Sequence, residues 1–164
     1  MINFNIAPAF VTVLISVISS SCQDCPDNTI SGTERGQLQN EVLEFVDKLT
    51  DVKGKKYDHF ANFFAKTDGF LVAPNGSIAT TDFDVAMDGV KSSNNILMSL
   101  NFHDPKIYVL DKNAATMTSL WDMTFINQNS DTLTYGGCWT YIFQKINNEW
   151  KIIQSIGTES EPQP

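Results

Sequence analysis

The sequence predicts an α+β domain, with helices from the first half of the chain packed on an antiparallel sheet built from the second half. Three observations carry that expectation. An amphipathic helical stretch follows residue 33, a shorter aromatic-rich helical stretch follows Gly54, and the chain changes to long β-rich runs after Asn101. The 164 residues are 42% hydrophobic and include eleven Phe, which suffices for one packed core.

Residues 1–21 carry no charged side chain, and an almost wholly apolar run from Ala9 to Ile18 precedes Ser19, Ser20, Ser21 and Cys22. Such a run is short for a bilayer span, and small residues follow it, which is the pattern of an export signal. Small residues directly before Cys22 resemble a bacterial lipoprotein signal. That resemblance implies lipidation of Cys22, membrane attachment through the lipid anchor alone, and a periplasmic or cell-surface location, with plain secretion as the alternative. Ser19 departs from the pattern, which usually has Leu there, and no Lys or Arg precedes the run. The chain therefore divides into a signal peptide (1–21), a flexible tether containing Pro26 and Gly32 (22–32), one domain (33–158) and a tail (159–164).

Within the domain Thr33 is a candidate helix cap, and Leu38, Val42, Phe45, Val46 and Leu49 fall on one helical face. Tyr57, Phe60, Phe63 and Phe64 mark a second, shorter helix. A short hairpin about Pro74-Asn75-Gly76 follows. A third helix is expected from Thr81 or Asp82, with Phe83, Ala86, Met87 and Val90 inward. Four strands over roughly 102–111, 114–127, 132–146 and 149–158 complete the domain.

Eleven Lys and Arg against 19 Asp and Glu leave a formal charge of -8, which speaks against nucleic acid and against electrostatic attraction to an anionic membrane. His59 and His103 have no partner at metal-ligand spacing, so no metal site is expected, and no motif implies a cofactor. Cys22 and Cys25 lie before the domain, and Cys138 falls in a strand as a small buried residue.

The element order, together with Gly137, Trp139, Thr140, Ile142, Lys145 and Trp150 to Ile153 in the last hairpin, resembles the nuclear transport factor 2-like superfamily, particularly its bacterial SnoaL-like stand-alone domains. The resemblance covers about residues 34–158. It implies a cone-shaped domain with three N-terminal helices on a strongly curved antiparallel sheet. It does not imply one chemistry, since the superfamily includes isomerases, dehydratases, cyclases, transport factors and association domains. Many relatives carry a His six residues beyond the tryptophan of the last strand; Ile156 stands there in this chain.

A two-residue turn at Asn147-Asn148 pairs Lys145 with Trp150, Phe143 with Ile152, Tyr141 with Gln154 and Trp139 with Ile156, and puts all eight on the inner face. The expected ligand-binding residues are accordingly Phe60, Phe64, Trp139, Tyr141, Gln154 and Ile156. Carrying the register back through a turn at Gln128 to Asp131 brings Asp122 inside, where Asp122 and Tyr141 would be the catalytic base and oxyanion donor of an isomerase-type site. A bulge at Gly136-Gly137 would reverse that parity and bring Trp121, Met123 and Phe125 inside instead. Three functions stay open on these grounds: binding of a small, mostly apolar molecule in the cone, an isomerase, dehydratase or cyclase-type enzyme, and a homodimeric scaffold pairing through its open sheet face.

Overall fold

The computed structural model describes residues 30–160. The first helix, α1 (Gly32–Thr50), is capped two residues ahead of the expected Thr33, by Ser31, whose hydroxyl accepts from the Glu34 N–H at 3.2 Å. It buries Leu38, Val42, Phe45, Val46 and Leu49 against the sheet, as the periodicity requires. Phe45 sits at its centre, edge-on to Phe63 and to Phe143 with both centroids 5.5 Å away.

The second helical stretch is a 3-10 helix, Tyr57–Asn62. Its aromatic residues recur at intervals of three, and i and i+3 eclipse in that geometry. Phe64 already lies outside it and forms a parallel bridge to Ile152. Helix α2 (Phe83–Ser92) is capped by Asp82, whose Oδ1 accepts from the N–H groups of Asp84 and Val85, and it buries Met87. The three helices expected from sequence are thus two α-helices and one 3-10 helix.

Five strands form a single sheet in the order β1-β5-β4-β3-β2. They are β1 (Leu71–Pro74), β2 (Ile96–Asp111), β3 (Ala114–Ile126), β4 (Thr132–Ile146) and β5 (Glu149–Glu159). Strand β1 pairs with β5 in parallel, so the sheet is mixed, where an antiparallel one was expected. The anticipated hairpin about Asn75-Gly76 shrinks to the turn itself, with φ of 54° and 77°, and one bridge between Val72 and Thr80. The edge of β5 takes the remaining backbone groups of β1. Register shifts within β2 at Leu97/Ser99, His103/Lys106 and Val109/Asp111 are irregularities of the kind that bend a strand.

The inner sheet face and α1 enclose the core, where Val42, Leu97, Ala115, Met117, Phe143 and Ile152 are fully buried. Trp150 closes the lower edge of this core, and its indole N–H donates to Glu41 of α1 at 3.0 Å. The same carboxylate holds the Lys145 ammonium at 2.5 Å. The hydrogen bond from Lys145 is the main reason that the pKa of Glu41 lies below its ordinary value.

Candidate functional site

The end of the β4–β5 hairpin decides which side chains face the cone. The two-residue turn at Asn147-Asn148, with φ of 51° and 65°, pairs Lys145 with Trp150 and Phe143 with Ile152 in the expected way. Ile142 then pairs with Gln154, so Ile153 is an extra residue, a β-bulge. Beyond it Tyr141 faces Ser155, Trp139 faces Gly157 and Gly137 faces Glu159. One inserted residue exchanges the two faces of a strand. Gln154 and Ile156, expected as ligand-binding residues, therefore lie on the outer face. The Gln154 amide donates to the Gly69 carbonyl at 2.9 Å, and Ile156 is 37% exposed.

Asp122 is displaced for a related reason. Ile126 pairs with Thr132, so the loop spans 127–131, one residue more than the turn read from sequence. Asn127 builds it, its side-chain oxygen accepting from the N–H groups of Asn129 and Asp131 at 2.9 Å each. The β3–β4 register is continuous past Gly136-Gly137, so the loop, with no bulge there, sends Trp121, Met123 and Phe125 inward. Asp122 faces outward, accepting from the Asn101 amide at 2.8 Å and paired with His103 Nε2 at 2.5 Å. Partial burial pushes its carboxyl pKa up, and the hydrogen bonds from Asn101 and His103 outweigh that and bring it below the ordinary value. The expected Asp122 and Tyr141 pair is split between the two faces of the sheet.

Between the inner face, the 3-10 helix and α2 lies a cavity of about 400 Å³. Four expected residues line it: Phe60, Phe64, Trp139 and Tyr141. Trp139 and Tyr141 stack with centroids 6.0 Å apart, and Trp121 meets Trp139 edge-on at 6.3 Å. Gly157 makes this wall possible. A Cβ there would stand 2.2 Å from the Cys138 carbonyl oxygen and 2.9 Å from Cγ of Trp139, so only glycine lets the indole lie across β5. Gly137 is equally confined, with a Cβ position 1.9 Å from the Thr158 carbonyl oxygen, and its bareness leaves open space in the row from Glu159 to Trp121.

The polar groups of the lining include Tyr57, Tyr141, Ser155 and Glu159. Burial pushes both phenols above their ordinary pKa, and the charge of Glu159 adds to the rise in each, so its carboxylate lies within electrostatic reach of both rings. Burial also raises the pKa of Glu159. Neither Glu159 nor Ser155 is among the residues expected from sequence, which puts Glu159 in the tail; it is the last residue of β5. The turn at Asn75 holds it in the sheet: the Asn75 side-chain oxygen accepts from the Glu159 N–H, and the Asn75 N–H donates to the Gly157 carbonyl, both at 2.7 Å. The indole N–H groups of Trp121 and Trp139 are buried and have no hydrogen-bond partner among the described residues.

Among the described residues no group of three His, Cys, Asp or Glu side chains is placed to hold a metal, and no helix is long and apolar enough to cross a membrane. Cys22 lies outside the described residues. The outer sheet face exposes Leu120 (60%), Tyr108 (64%) and Leu110 (60%).

No protein-family model matches the sequence, and none of the curated proteins does. Solved structures do match. A nuclear transport factor 2-like protein of unknown function from Shewanella oneidensis is 19% identical, covering 74% of this chain and 98% of its own, with a TM-score of 0.56. A nuclear transport factor 2-like superfamily protein from Salmonella enterica is 17% identical over 79% of this chain and 94% of its own, with a TM-score of 0.58. A type 2 hexachlorocyclohexane dehydrochlorinase is 11% identical over 82% of this chain and 93% of its own, with a TM-score of 0.59. Identities at this level speak for backbone architecture and leave chemistry open. With a mixed five-stranded sheet and helices around an aromatic cavity, the chain has the nuclear transport factor 2-like (SnoaL-like) fold.

Proposed function

We propose that the cone binds a small, mostly apolar molecule. The supporting observation is the cavity of about 400 Å³, walled by Phe60, Phe64, Trp121, Trp139 and Tyr141 and supplied with a few polar groups at one end. That is the usual composition of a small-molecule site. The two cavity tryptophans provide the assay. A neutral aromatic probe such as N-phenyl-1-naphthylamine should quench tryptophan fluorescence and saturate at one per chain. Ala86→Trp, which fills the cavity from α2, should abolish the effect while the circular dichroism spectrum stays unchanged. Probe binding that survives the filled cavity places the site elsewhere and ends this reading.

A second reading, an isomerase, dehydratase or cyclase-type enzyme, draws on the facing of Glu159 with Tyr57 and Tyr141. Partial burial raises the pKa of Glu159, which makes its carboxylate a better proton acceptor, and a phenol donates to a developing oxyanion. Glu159 would then replace Asp122 as the base. The test is exchange of the α-protons of a bound cyclic ketone in deuterated water: Glu159→Gln should stop it and Asp122→Asn should leave it unchanged, and the opposite result refutes the assignment. Export with a lipid anchor at Cys22 rests on the sequence pattern of residues 1–22, and mass spectrometry of the mature N-terminus tests it. Homodimerisation through the outer sheet face draws on exposed Leu120, Tyr108 and Leu110. Sedimentation of wild type against Leu120→Glu tests that.

A further inference from the structure

The cavity joins an aromatic wall to a single carboxylate. Tyr57, Trp121, Trp139 and Tyr141 present ring surface to the cavity, which is open to solvent on one side, and the exposed Glu159 stands at the end of β5 on the same face. None of the described residues lining the cavity is Lys, Arg or His, and no ion pair among the described residues involves Glu159. Opposite Glu159 the β4 position is Gly137, so no side chain stands between the carboxylate and Trp121 in the next strand. An anionic ligand head would meet a carboxylate with no cation to offset it. Glu159 is exposed to solvent as well as lining the cavity, so a neutral ligand would leave it hydrated and gain nothing from its charge. An ammonium would satisfy both components, since aromatic faces attract cations through the ring quadrupole and the carboxylate supplies the counter-charge.

We propose that the ligand is an organic cation, an amine carrying an apolar body, with its ammonium seated between Glu159 and the faces of the cavity aromatics. This deepens the binding function proposed above and rests on it. Two further features agree. Burial keeps the phenols of Tyr57 and Tyr141 protonated, so the cavity carries no second negative charge from them. The formal charge of -8 on the chain favours the approach of cations over anions.

A charge series with one apolar body tests the idea: 3-phenylpropylamine, 3-phenylpropanol and 3-phenylpropanoate, each titrated against the full chain by tryptophan fluorescence and calorimetry. The amine should bind about tenfold or more tighter than the alcohol, a preference of the size expected for a cation near aromatic faces and a carboxylate, and the carboxylate compound should bind weakest. Glu159→Gln should bring amine and alcohol to within about threefold of each other, chiefly by weakening the amine. If wild type binds the alcohol as tightly as the amine, or if the preference persists in Glu159→Gln, the cationic ligand is refuted while cavity binding stands. If none of the three binds and the neutral probe also fails, the cavity-binding function falls and the cationic ligand with it.

Discussion

Replacing Trp150 with Ala should be among the most damaging single changes in this domain, and the structure allows its size to be worked out. Trp150 is 6% exposed and wedged between the β4–β5 hairpin and α1. A buried tryptophan removes about 150–250 Å² from water, which at about 25 cal/mol per Å² corresponds to about 4–6 kcal/mol. That figure is an upper bound, because the unfolded chain already hides part of the ring. Truncations of buried Phe and Trp cost about 3–5 kcal/mol, cavity included, and that range is the expectation here. The indole N–H to Glu41 contributes little to it, since the Glu41 side chain is 44% exposed and water replaces the donor. Trp150→Phe should therefore cost only about 1 kcal/mol beyond the packing change, with Lys145, 5.2 Å from the ring centroid, still facing an aromatic. Urea unfolding followed by circular dichroism reads both variants. With a slope of about 2 kcal/mol per molar, Trp150→Ala should lower the midpoint by about 1.5–2.5 M. A shift under about 0.5 M refutes the burial argument. Equal losses in the Ala and Phe variants would mean that the hydrogen bond to Glu41, and not apolar contact, holds the hairpin to α1.

Gly157→Ala should destabilise by about 1–3 kcal/mol or more and weaken probe binding, because the new Cβ falls 2.2 Å from the Cys138 carbonyl oxygen and beside Trp139. Gly69→Ala is the control, with no atom nearer than 3.9 Å, and equal effects in the two variants would sink the steric account. Acid should act in two steps. Burial lowers the pKa of His59 from 6.5, so the unfolded chain binds the proton more readily and stability begins to fall as pH drops through about 6.5, until the folded-state pKa is passed. Glu41, with its pKa lowered from 4.5 chiefly by the Lys145 hydrogen bond, loses its contribution only below that value. Thermal melts of His59→Gln should lose the upper step alone, and a variant that keeps both steps shows that another group titrates. Glu159 works in the opposite sense, since burial raises its pKa: Glu159→Gln should remove a loss of stability that sets in as pH rises through 4.5 toward the folded-state value. Denaturation midpoints at several pH values check this, and an unchanged profile would show that the carboxyl is solvated.

Much of the fold was legible because its signals are local. The stripe from Leu38 to Leu49 needed only helical periodicity, and Asn147-Asn148 needed only the tolerance of Asn for positive φ. The parallel partner of β1 was not legible, since nothing within Leu71–Pro74 states which distant edge will take its backbone groups. The site was lost through two single-residue offsets, the bulge at Ile153 and the extra residue in the loop 127–131, each of which turns a strand over. Alternation of polar and apolar residues does not detect such offsets, because β5 carries apolar or small residues on both faces. Side-chain volume, however, does discriminate between the registers. The register expected from sequence sets Trp139 against Ile156 and Tyr141 against Gln154, bulk opposite bulk on a face that must also leave room for a cavity. The observed register sets Trp139 against Gly157, Tyr141 against Ser155 and Gly137 against Glu159, large opposite small at every step. Close packing favours that complementarity, so the two glycines and the serine were the readable sign that the hairpin slips by one residue before it reaches the cone. The slip that brings Gly157 under Trp139 also brings Glu159 onto the cavity face. Packing of the aromatic wall and placement of the carboxylate are therefore consequences of a single bulge.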